Sequence, residues 1–188
     1  MTNILILHGT GATPKSNWFM WLKGKLVGEG HQVWLPQLPD ADKPNGKTYT
    51  DFLLANKDFK INKDTIVIGH SSGAVEILNL LQHLPGRTKI KGALLVSAFH
   101  DDLGWDSLSD LIDTPFDYER IKKHCGKFIF LYSDDDPHVP IEQPKFLAEQ
   151  LDSDLIVFEG QGHFNTGTSP HYQRFPEILQ FIEELENS

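Results

Sequence analysis

Ser71 is the residue of this chain with the clearest chemical use. It occupies the centre of a G-x-S-x-G motif that directly follows the β-branched run from Thr65 to Ile68. A sharp strand-to-helix turn can lift a serine hydroxyl into a cleft, provided that small residues lie two positions before and after the serine. Gly69 and Gly73 meet that requirement. The motif therefore predicts that Ser71 is a nucleophile.

A serine hydroxyl is a weak nucleophile at neutral pH, so it needs a base and a third group that orients the base. In sheets of this type the acid and the histidine follow later strands, in that order. Three aspartates, residues 134–136, follow the apolar run 128–132, and His163 follows the run 155–158. Glycines at 160 and 162 give the histidine loop its freedom. The order predicts a catalytic set of Ser71, Asp136 and His163.

The choice within the aspartate cluster depends on Pro137. Proline restricts the preceding residue to extended conformations, which gives the Asp136 side chain a defined exit from the turn. Asp135 is the alternative, and all three aspartates could simply form a turn and cap the next helix. His163 is preferred to His138 because His138 shares the turn of the acid itself and could hardly be oriented by it.

An acyl oxyanion needs two positioned donors, which are usually backbone amides. The amide of Ser72 is one candidate, and the loop after the first strand should supply the other, from Thr10 or, as second choice, Gly11. That loop lacks the spacing of nucleotide-binding loops. The chain also has no metal-ligand spacing. We therefore expect neither a cofactor nor a catalytic metal.

Possible pocket residues are aromatic or lie beside these motifs. They are Gly11, His70, Trp18, Trp105, Phe116 and Phe164. Trp18 and Trp21 also lie at helical spacing with Leu22, which favours core packing for at least one of the two tryptophans.

Six short apolar runs should form the strands that position these residues. They cover 4–7, 32–35, 65–68, 93–96, 128–132 and 155–158. Helical patterns alternate with them, from Trp18 to Leu26 and over 48–56, 73–82, 117–125, 141–151 and 176–186. This alternation predicts an α/β fold, a three-layer α/β/α sandwich around a mainly parallel sheet of about six strands, with ligands at the carboxyl ends of the strands. Whether residues 101–111 contain a helical turn is left open.

Composition narrows the class of protein. At 188 residues the chain suits a single domain over 1–188, and 39% hydrophobic with 23% charged residues is typical of soluble globular proteins. A net charge of −9 without a basic stripe argues against nucleic acid partners. The first apolar run is too short for a signal peptide and nothing reaches membrane-spanning length. We expect a cytoplasmic protein with no membrane partner; its oligomeric state is not predicted.

Several motifs together resemble a known family, the small serine hydrolases of the α/β-hydrolase fold related to retinoblastoma-binding protein 9 and its bacterial relatives. The motifs are WFMWL at 18–22, IGHSSGA at 68–74, LVSA at 95–98, DDDP at 134–137 and GHF at 162–164. The resemblance covers nearly the whole chain. It implies a Ser71, Asp136 and His163 triad, favours Asp136 over Asp135, and implies a minimal α/β-hydrolase sheet without two leading antiparallel strands.

The resemblance also implies a function. It indicates a serine hydrolase acting on a small-molecule acyl substrate, an ester, thioester or amide, with esterase or aminopeptidase-like activity. The namesake is associated with a pocket protein through an L-x-C-x-E motif, which is absent around Cys125, so that partner is not implied. The alternative is a protein-interaction module that keeps the hydrolase fold, with the acidic loop from Asp101 to Asp113 as its docking surface.

Overall fold

A six-stranded parallel sheet forms the centre of the protein, in the strand order β2-β1-β3-β4-β5-β6. The computed structural model describes residues 1–112 and 114–188. The strands are β1 Asn3–Leu7, β2 Gln32–Trp34, β3 Thr65–His70, β4 Ile90–Val96, β5 Cys125–Ser133 and β6 Leu155–Phe158. All neighbouring strands run parallel. The predicted α/β fold with a six-stranded sheet is confirmed.

Helices cover both faces of this sheet. They are α1 Phe19–Gly28, α2 Gly46–Ala55, α3 Ser72–His83, α4 Tyr118–His124, α5 Glu142–Gln150 and α6 Ile178–Glu186. Apolar side chains of α1 and α6 belong to one buried cluster, and those of α2, α3, α4 and α5 belong to another. The sheet therefore lies between two helical layers. In the described ranges, no helix is long and apolar enough to cross a membrane.

Two local features differ from the sequence expectation or complete it. The helical pattern predicts a helix up to Cys125, but α4 ends at His124 and Cys125 begins β5, because Cys125 pairs with Ile90 of the neighbouring strand. The stretch left open contains a 3-10 helix over Asp106–Leu111. The boundary between α4 and β5 is set by strand pairing between residues far apart in the sequence, so the residues around Cys125 alone do not predict it.

The strand order explains how distant residues meet. β1 has β2 on one side and β3 on the other, so the chain changes direction across the sheet beside β1. Ligands of open parallel sheets bind where the strand order reverses, outside the carboxyl ends of the strands. The loops after β1, β3, β4, β5 and β6 all leave the sheet at this edge.

Candidate active site

The turn between β3 and α3 holds Ser71 in a strained conformation. Its backbone has φ +56° and ψ −125°, a combination that side-chain-bearing residues rarely adopt. The Ser71 amide donates to the Val96 carbonyl at 2.9 Å, which ties the turn to β4. A Cβ on Gly73 would lie 2.5 Å from the Leu7 carbonyl oxygen, and one on Gly69 would lie 2.5 Å from the Gly73 carbonyl oxygen. Both positions of the motif therefore require glycine.

The Asp136 carboxylate lies beside His163 with its side chain fully buried. Its Oδ2 is 2.8 Å from His163 Nδ1 and accepts a hydrogen bond from Ser97 Oγ, also at 2.8 Å. Its Oδ1 accepts the backbone amides of His138 and Val139, at 2.9 and 3.1 Å. Burial disfavours the charged carboxylate, but the hydrogen bond and charge of His163 and these further donors outweigh it and hold the pKa of Asp136 below its ordinary value.

The two preceding aspartates hold the backbone of the histidine loop directly. Asp134 Oδ1 accepts the Gly160 amide at 2.8 Å, and Asp135 Oδ1 accepts the Gly162 amide at 2.7 Å. Both contacts fix the backbone just before the histidine. The structure thus brings Asp136, and not the alternative Asp135, to the imidazole.

The His163 side chain is only 7% exposed, and the backbone of this residue is held at both ends. The backbone amide donates to Thr168 Oγ1 at 3.1 Å, and the backbone carbonyl accepts a hydrogen bond from His70 Nε2 at 2.7 Å. Burial, reinforced by the nearby charge of His163, lowers the pKa of His70 to about 3. His70 is therefore neutral at pH 7, and it acts as a buried donor beneath the loop. The His138 ring stands perpendicular to the His163 ring, with 5.0 Å between centroids.

Ser71 and His163 line the same cavity, of about 200 Å³. Its apolar wall comprises Phe99, Leu103, Trp105, Leu108 and Val139. Among the hydrogen bonds of the described residues, none joins the Ser71 hydroxyl to the His163 ring. Such contacts are often long in ligand-free enzymes and shorten when substrate binds.

Thr10 contributes to this cavity from the loop after β1. Its hydroxyl donates to Ser72 Oγ at 2.9 Å, which anchors the loop to the start of α3. The Gly11 amide donates to the Ala41 carbonyl at 2.9 Å and is therefore occupied. The Ser72 amide belongs to the first turn of α3, where amides have no acceptor inside the helix. The loop after β1 thus brings Thr10 beside Ser72 at the start of α3.

Comparison with known proteins establishes the family. A model of the serine hydrolase family matches residues 4–184. The chain belongs to the serine hydrolase family. YdeN of Bacillus subtilis is 31% identical to it over 162 residues, which cover 86% of this chain and 85% of YdeN. The serine hydrolase RBBP9 of Rattus norvegicus is 27% identical over 181 residues, or 95% of this chain and 91% of RBBP9.

Solved structures agree with this assignment. The crystal structure of the B. subtilis ydeN gene product superimposes with a TM-score of 0.92 at 27% identity, and the match covers the whole of both chains. Est1E from Butyrivibrio proteoclasticus matches with a TM-score of 0.72 at 16% identity, over all of this chain and 89% of Est1E. The second similarity concerns the fold alone.

The structure places only some of the predicted pocket residues at the cavity of this serine hydrolase. Trp105 lines it, and Gly11 lines an adjoining groove. Trp18 and Phe164 are fully buried instead, and the Trp18 indole donates to the Phe164 carbonyl at 2.9 Å. Both side chains therefore pack in the core beneath the site. Their expected role as pocket walls is wrong, because their aromatic character reflects burial.

Two other pocket expectations are also corrected. Phe116 packs against Tyr118 and the large apolar cluster, and does not line the cavity of Ser71. His70 lies under the His163 backbone and is only 3% exposed, so it supports the loop without lining the cavity. Sequence reasoning missed Ser97, which donates to the acid. Its position at the end of β4, at the same sheet edge as the other loops, was the available signal.

The described residues contain rival features with less chemical content. A larger groove of about 470 Å³ runs from Leu53 to Thr88, but its lining has no serine, cysteine, histidine or carboxylate. Within residues 1–112 and 114–188, no three His, Cys, Asp or Glu side chains are arranged to hold a metal. In the acidic loop, Asp101 and Asp102 accept backbone amides two residues further on, which folds the loop locally. Asp113 lies outside the described residues.

Proposed function

We propose that this serine hydrolase cleaves a carboxylic ester, or a related thioester or amide, through an acyl-enzyme on Ser71. One observation carries the proposal. His163, held by the buried Asp136 at 2.8 Å, shares a cavity with a serine on a strained strand-to-helix turn. This is the arrangement that activates a serine for acyl transfer.

In the first half of the reaction Ser71 Oγ attacks the acyl carbon and its proton passes to His163 Nε2. Asp136 keeps the Nδ1 proton of His163 in place, so that Nε2 is free to act as the base. The amides of Thr10 and Ser72 donate to the developing oxyanion. His163 then protonates the leaving group, the bond between the acyl carbon and the leaving group breaks, and the acyl group remains on Ser71.

In the second half a water molecule attacks the acyl carbon and gives its proton to His163. The bond to Ser71 Oγ breaks, the serine recovers its proton, and the carboxylic acid leaves. His163 therefore acts as a base in both halves of the reaction, and as an acid when the leaving group departs.

The cavity dimensions support a small acyl group. A volume of about 200 Å³ is smaller than the roughly 300–1,000 Å³ that is typical of ligand pockets. Phe99, Leu108 and Val139 give it an apolar wall. The acyl group should therefore be short and uncharged.

A panel of p-nitrophenyl esters and amino-acid anilides tests the proposal. We expect butyrate to be cleaved faster than octanoate, and Ser71→Ala to lower kcat by at least about a thousandfold. The relative rates on esters and anilides separate esterase from aminopeptidase-like chemistry. Full activity in a folded Ser71→Ala variant would overturn the proposal.

A further inference from the structure

A polar groove of about 450 Å³ adjoins the cavity of Ser71. Thr10 and Asn165 line both spaces, so a bound molecule could extend from one into the other. The lining of the groove includes Lys15 and no aspartate or glutamate. This differs from the rest of a chain that carries a net charge of −9.

The two asparagines in the groove have their oxygens occupied. Asn17 Oδ1 accepts the amide and the hydroxyl of Thr166, both at 3.0 Å. Asn165 Oδ1 accepts the Thr168 amide at 2.8 Å and the Thr168 hydroxyl at 3.1 Å. Backbone amides can only donate, so these contacts fix which end of each asparagine is the oxygen. In the described ranges, neither asparagine nitrogen nor the Lys15 ammonium donates to another protein group.

The groove therefore offers N–H donors with few competing acceptors. One carboxylate, that of Asp42, approaches from the side of Gly11, where an added Cβ would lie 3.5 Å from its Oδ1. An anionic oxygen-rich group would thus be held beside Lys15 and the two asparagines. Charge-assisted hydrogen bonds to such a group are stronger than neutral ones.

We propose that this groove binds the leaving group and selects leaving groups that carry an anionic, oxygen-rich substituent such as a carboxylate. The inference rests on the proposed function, since the leaving group must be at His163 to receive its proton. Asn165 lines the cavity together with His163 and also lines the groove, so the groove begins beside the residue that protonates the leaving group. The substrate class is then a short acyl group joined to an alcohol or amine that carries an anionic group such as a carboxylate.

Two matched esters test this selection: 4-(carboxymethyl)phenyl butyrate and its uncharged N-methylamide. The methylene group insulates the phenol, so the two leaving groups are similarly basic and differ mainly in charge. We expect kcat/KM to be about threefold to tenfold higher for the carboxylate at low ionic strength, and the preference to shrink as salt screens the rim. Lys15→Gln should bring the ratio close to one. Lys25→Gln removes the same charge from the exposed surface of α1 outside the groove and should keep the wild-type ratio.

The outcomes separate the two proposals. Equal kcat/KM for both esters, with hydrolysis dependent on Ser71, overturns the groove assignment and leaves the hydrolase proposal standing. A preference that survives in Lys15→Gln also overturns the groove assignment. Hydrolysis of neither ester, together with an unreactive Ser71, overturns both.

Discussion

Asp136→Asn should stop the proposed reaction without unfolding the protein. The backbone amides of His138 and Val139 both donate to Oδ1, so the asparagine carbonyl must take that position. Its NH₂ group then replaces Oδ2, which in the native protein is the carboxylate oxygen nearer to His163 Nδ1, at 2.8 Å compared with 3.0 Å for Oδ1. An N–H donor facing Nδ1 requires Nδ1 to accept, so the ring proton moves to Nε2. The imidazole can then no longer take the serine proton.

The size of the effect follows from losing the correct tautomer. Such a loss costs about 10⁴ in kcat, which corresponds to about 5.4 kcal/mol of transition-state stabilisation. Stability should change much less, because the variant keeps both backbone hydrogen bonds to Oδ1 and buries a neutral group of the same shape. We expect the free energy of unfolding to change by no more than about 2 kcal/mol.

Hydrolysis of p-nitrophenyl butyrate measures kcat, and urea unfolding measures stability. Asp135→Asn is the matched control, because Asp135 holds the Gly162 amide without contacting the imidazole. That variant should stay within about tenfold of the wild-type kcat, since its remaining carbonyl oxygen can still accept one hydrogen bond. If folded Asp136→Asn also stayed within tenfold, the assigned role of Asp136 would be refuted.

Three further substitutions test the surroundings of the site. The pKa of His70 is about 3 in the folded protein and about 6.5 in the unfolded chain. Below about pH 6.5 the proton therefore binds the unfolded chain first, which lowers the free energy of unfolding by about 2 kcal/mol at pH 5. His70→Gln should therefore lose about 2 kcal/mol less than the wild type between pH 7 and pH 5 in urea titrations, and equal losses would contradict the burial argument. Ser97→Ala removes the 2.8 Å hydrogen bond to Asp136 and should lower kcat by about tenfold to a hundredfold with little change in KM, whereas an unchanged kcat would show that Ser97 does not position the acid. Gly73→Ala places a Cβ 2.5 Å from the Leu7 carbonyl oxygen and should lower the free energy of unfolding by about 1 to 3 kcal/mol in urea titrations. An unchanged free energy of unfolding would rule out the close approach.

Much of the fold and the order of the proposed catalytic residues could be predicted because their signals are local. Each apolar run predicts a buried strand. The G-x-S-x-G motif predicts the turn that it forms, because that turn leaves no room for a side chain at Gly69 or Gly73. The cluster of aspartates was harder. Pro137 favoured Asp136, but only the three-dimensional positions of Gly160 and Gly162 show what the other two aspartates hold.

Only part of the pocket, such as Trp105, could be predicted, because residue type does not say which surface a side chain reaches. Trp18 and Phe164 are aromatic and buried in the core, whereas Phe99 and Leu108 come from the loop after β4 and line the cavity. The position of Ser97 just after β4 placed it at the same sheet edge as the other site residues, but it did not show what the hydroxyl contacts. Its role becomes visible only when the fold places it 2.8 Å from a buried carboxylate.

Covalent labelling of the folded protein with a fluorophosphonate, followed by peptide mass spectrometry, tests the central claim most directly. We expect one equivalent of probe on Ser71, no labelling in Ser71→Ala, and much slower labelling in His163→Ala because the serine loses its base. A folded protein that remains unlabelled, or that carries the probe on a different residue, would contradict the assignment of Ser71 as the nucleophile.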